Sequence, residues 1–189
     1  MTAFLTVVSG IAWTLVYLDA IRIGFKDKTY AMPLWALALN ISWEGIYAFL
    51  AVSDTAGLSL QGIINVCWFV FDLGLAYTFF RFGRRYWSDV LPSTAFYAWG
   101  ILAFVTSFLV QLAFLGEFGA SQAARYSAFL QNLLMSILFI GMFYSRKGNE
   151  GQSLFIAVSK WIGTLAPTRV WVCRTEHVYH DPRSLVLRL

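Results

Sequence analysis

Six apolar runs separated by short polar connectors organise the chain. A spanning helix takes about 17–25 residues, and five runs reach that length: 3–23, 32–52, 59–80, 93–115 and 123–144. A sixth, weaker run covers 153–168. The connectors GFKDKTYA, SDTAGL, RFGRRYWSDVLP, GEFGASQ and SRKGNEGQ are short and rich in turn formers. Short connections force antiparallel neighbours, so the expected fold is all-α, a polytopic transmembrane helical bundle with six readable spans. Residues 1–168 form that bundle in this reading. The polar, basic stretch 169–189, RVWVCRTEHVYHDPRSLVLRL, is expected to be a disordered or aberrant tail.

Composition agrees with the pattern. Of 189 residues, 59% are hydrophobic and 13% charged, whereas a soluble domain carries about 25% charged residues. The net charge of +4 does not indicate a nucleic-acid partner, because the cations fall in short loops where membrane topology accounts for them. Arg22, Lys26 and Lys28 lie around the first connector, Arg81, Arg84 and Arg85 around the third, Arg146 and Lys147 at the fifth. The second has no Lys or Arg, and the fourth is followed only by Arg125. That alternation puts connectors one, three and five in the cytosol and the N-terminus on the external or lumenal side. The tail, with Arg169, Arg174, Arg183 and Arg188, breaks the alternation. Either the sixth run does not cross, or a seventh span belongs after it. The first run starts at Ala3 without a basic region before it and is long enough to span, so a cleaved signal is not expected. Cys67, in an apolar run, and Cys173, in the tail, do not suggest a disulfide framework.

The polar residues inside the apolar runs are the candidates for chemistry. Glu44 lies in the middle of MPLWALALNISWEGIYAFLAV, a run without a cation. An acidic residue there costs about 2.5–3.5 kcal/mol on insertion scales. Asn40, Glu44 and Tyr47 follow i, i+4, i+7 spacing and share one face, with Trp43 beside them. That face is either a polar staple to a neighbouring helix or a proton donor. Desolvation disfavours a carboxylate, so Glu44 is expected to be a neutral acid. The third run presents Gln61, Asn65, Trp68 and Asp72 along a second polar face, and Asp72 supplies a second mid-membrane carboxyl group. Gln131 and Asn132 in the fifth run are adjacent and therefore point about 100° apart, so one of them should reach the same interior.

Other polar groups have plainer explanations. Asp19 and Arg22 fit an interfacial ion pair, and Lys160 a snorkelling lysine. His177 and His180 in EHVYHD have metal-ligand spacing, but two histidines in such a tail are ordinarily no site. No two acidic residues are adjacent, so an aspartate-rich cluster for magnesium is missing, as are P-loop, GxSxG and HExxH patterns. Neither a metal nor a cofactor is expected.

Four stretches, MPLWALALNISWEGIY (32–47), WFVFDLGLAYT (68–78), YSAFLQNLLMSILFI (126–140) and GQSLFIAVSKWIGTLAPT (151–168), resemble a known family. It is the small integral-membrane terpene cyclases of fungal meroterpenoid and indole-diterpene pathways (paxilline-type), with bacterial relatives. The likeness covers about residues 1–168. It implies seven spans and metal-independent cyclisation of a polyprenyl chain, often one bearing a terminal epoxide. It also implies an initiating acid at Glu44 and a further acidic residue in the last span. A frameshift, retained intron or truncated reading of the gene would explain why the chain departs from the family after Thr168.

The residues suit that chemistry. A neutral acid in a dry pocket can protonate an epoxide or alkene, and exclusion of water keeps the cation from early capture. Aromatic faces stabilise moving positive charge by about 0.5–2 kcal/mol each, a role for Trp43, Tyr47 and Trp68, with Phe71 beside them. Glu44 and Asp72 are thus the expected catalytic residues. Asn40, Trp43, Tyr47, Asn65, Trp68, Gln131 and Asn132 are the expected substrate-binding ones, with Asp72, Asn40 and Asn132 orienting the acid or the substrate's oxygen. The expected partners are a lipophilic prenylated substrate, the bilayer and other enzymes of the pathway, in the endoplasmic reticulum of a fungus or the plasma membrane of a bacterium. Two rival functions remain from the sequence: a small proton-coupled transporter or channel using Glu44 and Asp72 as a relay, and an inactive, truncated cyclase relative.

Overall fold

The computed structural model describes the backbone of residues 2–55, 57 and 59–180, and side chains between Phe4 and Arg169. The described residues are helical and contain no strand. The elements are α1 (Thr2–Lys26), α2 (Leu34–Val52), α3 (Leu60–Phe82), a 3-10 turn (Gly83–Tyr86), α4 (Ser93–Arg146) and α5 (Leu154–His180). Pro33 and Pro92 stand directly before α2 and α4. There a residue without an N–H takes nothing from the helix. Ser59 opens α3 by accepting the Gly62 N–H at 3.1 Å, the ordinary N-cap bond.

Four helices, α1 to α4, are long and apolar enough to cross a membrane. Six separate spans are not seen. The expected fourth and fifth runs both lie within α4, an element of 54 residues, and the expected sixth lies within α5, which is not among the four. Gly119 divides α4 into two arms that hold the fourth and fifth runs. Its backbone (φ 67°, ψ 161°) interrupts the helical geometry in a region that is essentially restricted to glycine. There α4 folds back on itself. Gln111 Nε2 donates to Gln131 Oε1 at 2.9 Å, although 20 residues of straight helix would separate them by about 30 Å. The rings of Phe118 and Tyr126, 5.2 Å apart, close the bend.

The chain divides into two compact units, Tyr17–Ser153 and a second one made of the described residues up to Val16 with those from Leu154 onward. In the larger unit α2 is the central helix. Just over half of its apolar window (56%) is buried, against 22–33% for the other three, so lipid-facing surface is left mainly to its neighbours. Gly45 lets α3 approach α2 closely, since a Cβ there would stand 3.0 Å from the Phe69 ring. This approach sits one residue from Glu44. At one end of the unit the first, third and fifth connectors meet. Arg85 donates to the carbonyls of Asp27 and Lys28 and pairs with Glu150. Arg146 lies between the Tyr30 and Tyr86 rings, 4.2 Å from each centroid, and donates to the carbonyls of Tyr30 and Glu150. The Asp19–Arg22 pair forms as expected.

In the smaller unit Ser9 donates to the Gly163 carbonyl at 2.7 Å. Lys160 does not snorkel: it is buried, with its ammonium 5.8 Å from the centre of the Trp13 ring. Gly163 is what lets Trp13 come so near, because a Cβ would meet the indole at 2.7 Å. Helix α5 continues across Thr168 to His180 without a break. Residues 181–189, and the side chains of Cys173, His177 and His180, lie outside the described residues.

Candidate active site

Helices α1, α2 and α3 of the larger unit bring four polar side chains together. Asn40 on α2 is the hub: its Nδ2 donates to the Tyr17 hydroxyl of α1 at 2.5 Å and to Asp72 Oδ2 of α3 at 2.9 Å. The Tyr17 hydroxyl is also within hydrogen-bonding reach of Asp72. Glu44, one turn along α2 from Asn40, is in electrostatic range of Asp72. All four are buried, Asp72 completely so. Glu44 Oε2 and Asp72 Oδ1 have no hydrogen-bond partner among the described residues, and no cation there acts on either carboxyl group. Leaving a buried polar atom unpaired costs about 1–3 kcal/mol. Two such atoms, on carboxyl groups within electrostatic range of each other, make a site of unmet polarity. They can accept a hydrogen bond from, or when protonated donate one to, a polar group of a ligand.

Aromatic rings enclose one side. Tyr17 packs at 6.2 Å from Trp68 and 5.8 Å from Phe71, centre to centre. Asn65, buried two turns before Asp72 on α3, accepts from Gln61 at 2.8 Å. The Trp43 and Tyr47 rings pack 4.6 Å apart, tilted by 46°, and both side chains bond to α4. The Trp43 indole donates to the Ala124 carbonyl at 3.0 Å, and the Tyr47 hydroxyl reaches Ser127. They therefore fasten α2 to the second arm of α4.

The fifth-run amides separate as their spacing requires. Gln131 is buried against Gln111 and lines a cavity between α2 and the α4 hairpin. Asn132 is half-buried and bonds the Ala128 carbonyl of its own helix at 3.0 Å. Neither joins the Asn40 hub. Among the described residues no three His, Cys, Asp or Glu side chains cluster closely enough to hold a metal ion.

A buried acid cluster in a bundle of apolar helices fits both a membrane enzyme and a proton relay, and sequence relatives distinguish them. The profile of the Pyr4-like transmembrane terpene cyclases matches residues 1–184. The chain belongs to that family. The match passes Thr168, where the likeness was expected to end. The Pyr4-family terpene cyclase mfmH of Annulohypoxylon moriforme is 31% identical over 172 residues, 90% of this chain and 69% of that protein. Terpene cyclase macJ of Penicillium terrestre is 31% identical over 166 residues, 85% of this chain and 62% of the relative. Terpene cyclase pyr4 of Aspergillus fumigatus is 27% identical over 156 residues, 82% and 64% respectively. This chain thus spans about two thirds of the length of the curated relatives it matches. No solved structure matches it.

Within this family member, the sequence pattern missed Tyr17. An aromatic residue in an apolar run carries no signal of its own, and its link to Asn40 spans 23 positions. Gln111 and Ser107 were missed for a different reason: a glutamine and a serine in ILAFVTSFLVQLAFL add little to the hydropathy profile.

Proposed function

We propose that the protein is a metal-independent membrane terpene cyclase that uses Glu44 as the acid initiating cyclisation of a polyprenyl or meroterpenoid substrate, epoxidised at its terminus. The observation that carries this reading is the cation-free cluster of Glu44, Asp72, Asn40 and Tyr17, buried in a chain of the cyclase family. Glu44 delivers its proton to the epoxide oxygen. The C–O bond to the more substituted carbon breaks, the oxygen becomes a hydroxyl, and the cationic carbon is attacked by the next alkene. Successive alkenes repeat the attack until the last cation gives a proton from carbon to a carboxylate of the cluster, which restores the acid, so the product is an isomer of the substrate. Asp72, held by Asn40 and Tyr17, orients the acid and the developing hydroxyl. Trp68 and Phe71 supply the π-faces nearest the hub, each worth about 0.5–2 kcal/mol to a passing cation. Apolar walls fold the chain in advance, making ring closure intramolecular.

A substrate that partitions into lipid suits a site at membrane depth. We place the cation-bearing connectors on the cytosolic side of the endoplasmic reticulum membrane by the positive-inside rule. The test is expression in yeast supplied with an epoxyprenylated substrate. The unaltered chain should form cyclised product, and Glu44→Gln should form about 10²–10⁴-fold less at equal membrane abundance. Equal product from both overturns Glu44 as the acid.

A further inference from the structure

On α2, Leu39 points about 140° away from Glu44, and with Trp35 it covers a second site. There the two arms of α4 and this face of α2 line a half-open cavity of about 230 Å³. Its lining is mostly apolar, with Thr106, Ser107, Gln111, Ser127 and Gln131 as the polar residues. Ser107 and Gln111 are one helical turn apart, and only 1% and 2% of their surfaces are exposed. Gln111 spends its Nε2 on Gln131. Its Oε1 and the Ser107 hydroxyl are buried without a hydrogen-bond partner among the described residues. Ser127 and Gln131 have partners, so the unmet capacity is concentrated on one wall: an amide oxygen that only accepts and a hydroxyl that does either. Hairpin packing would tolerate leucine and alanine at these two places, and unpaired polar atoms are a cost that packing alone does not explain.

We propose that this cavity binds the ring-borne hydroxyl or N–H of an otherwise apolar ligand, donating to Gln111 Oε1 while the Ser107 hydroxyl bonds the same group. A cavity of about 150 Å³ is filled by benzene, so 230 Å³ holds one substituted ring, and the open side lets an attached chain leave. Resting on the cyclase reading, the ligand is the ring end of the prenylated substrate. Its reactive end lies on the opposite face of α2, and Tyr47, which reaches Ser127 from the Glu44 face, stands between the two. The site then selects substrates by their head group and leaves the chemistry to Glu44.

The experiment uses the full chain carrying Glu44→Gln, so that nothing is turned over, in phosphatidylcholine nanodiscs. Farnesylphenol and its methyl ether are titrated calorimetrically. The phenol should bind about tenfold more tightly, the value of one net hydrogen bond of about 1.4 kcal/mol. Gln111→Leu and Ser107→Ala should each reduce that preference several-fold, and Ser107→Ala does so without touching the bond that joins the arms. Equal affinity for phenol and ether, or a preference retained in both variants, overturns the site. Ergosterol in the nanodiscs distinguishes the sources: unchanged phenol binding supports the substrate, whereas competition assigns the pocket to a membrane sterol and overturns the substrate's ring as its occupant. Failure of the unaltered chain to cyclise an epoxyprenylated substrate refutes the cyclase reading without altering the phenol preference.

Discussion

Replacing Gly119 by alanine tests the feature on which the α4 hairpin depends. Its φ of 67° and ψ of 161° lie where an L side chain costs about 1–3 kcal/mol. A Cβ meets nothing within 4 Å there, so the penalty is one of backbone conformation and not of crowding. Gly119→Ala should therefore lower the stability of the fold by about 1–3 kcal/mol, read as a shift in SDS-induced unfolding in bicelles. Geometry is read separately with spin labels at Leu109 and Leu133, both exposed and each two residues beyond the Gln111–Gln131 bond. With Cys67 and Cys173 replaced by serine, the labelled pair should give a distance of about 20 Å, because packed helix axes lie about 8–10 Å apart and both labels project from the outer faces. A straight α4 would hold the two positions about 36 Å apart along its axis. A distance close to the straight-helix value in the Gly119 chain, or a Gly119→Ala variant as stable as its parent, would refute the argument.

Asn40→Leu removes two bonds from the hub and should destabilise the fold by about 1–3 kcal/mol. Combined with Asp72→Leu the loss should be clearly less than additive, as measured by a double-mutant cycle. Arg146→Ala empties the space between Tyr30 and Tyr86 and should cost about 2–3 kcal/mol, with faster hydrogen exchange over residues 28–31 and 149–152. Gly163→Val drives a side chain into the Trp13 indole; overpacking of this kind costs about 1–3 kcal/mol, and the altered indole setting should shift the fluorescence of a chain keeping Trp13 as its sole tryptophan.

The helices were legible because every apolar run had to satisfy its backbone internally, and each of the six runs does lie in helix. Their joining was less legible. GEFGASQ has the glycines of a turn, yet the reversal is completed by the dihedrals of one residue, Gly119, within an otherwise helical segment. Hydropathy does not encode dihedrals. In the hub, Glu44, Asn40 and Asp72 stood out because polarity at membrane depth is costly. Tyr17 did not, since its ring satisfies the apolar pattern and only its hydroxyl takes part. Between Gln131 and Asn132 periodicity established only that they diverge. Their assignment required knowing where the other arm of α4 lies, a contact made across 20 residues of sequence.

Helix α2 explains why so much of the polar chemistry collects in one unit. A helix buried on most of its circumference has little lipid-facing surface, so polar groups on it meet protein in several directions. Asn40 and Glu44 meet α1 and α3, while Trp43 and Tyr47 meet the second arm of α4. Gly45 draws α3 inward at the level of Glu44, which shortens the path between the two carboxyl groups without supplying a counter-ion. An amide at the hub serves where a cation would not. Asn40 can fix the Asp72 oxygen and the Tyr17 hydroxyl in place, but it cannot neutralise a carboxylate. An Asn40→Lys chain puts a charge where this design has none. That charge should pair with one of the two carboxyl groups and sharply lower proton-initiated turnover while the helices still assemble. Retained cyclisation in that variant would mean that the proton comes from another residue.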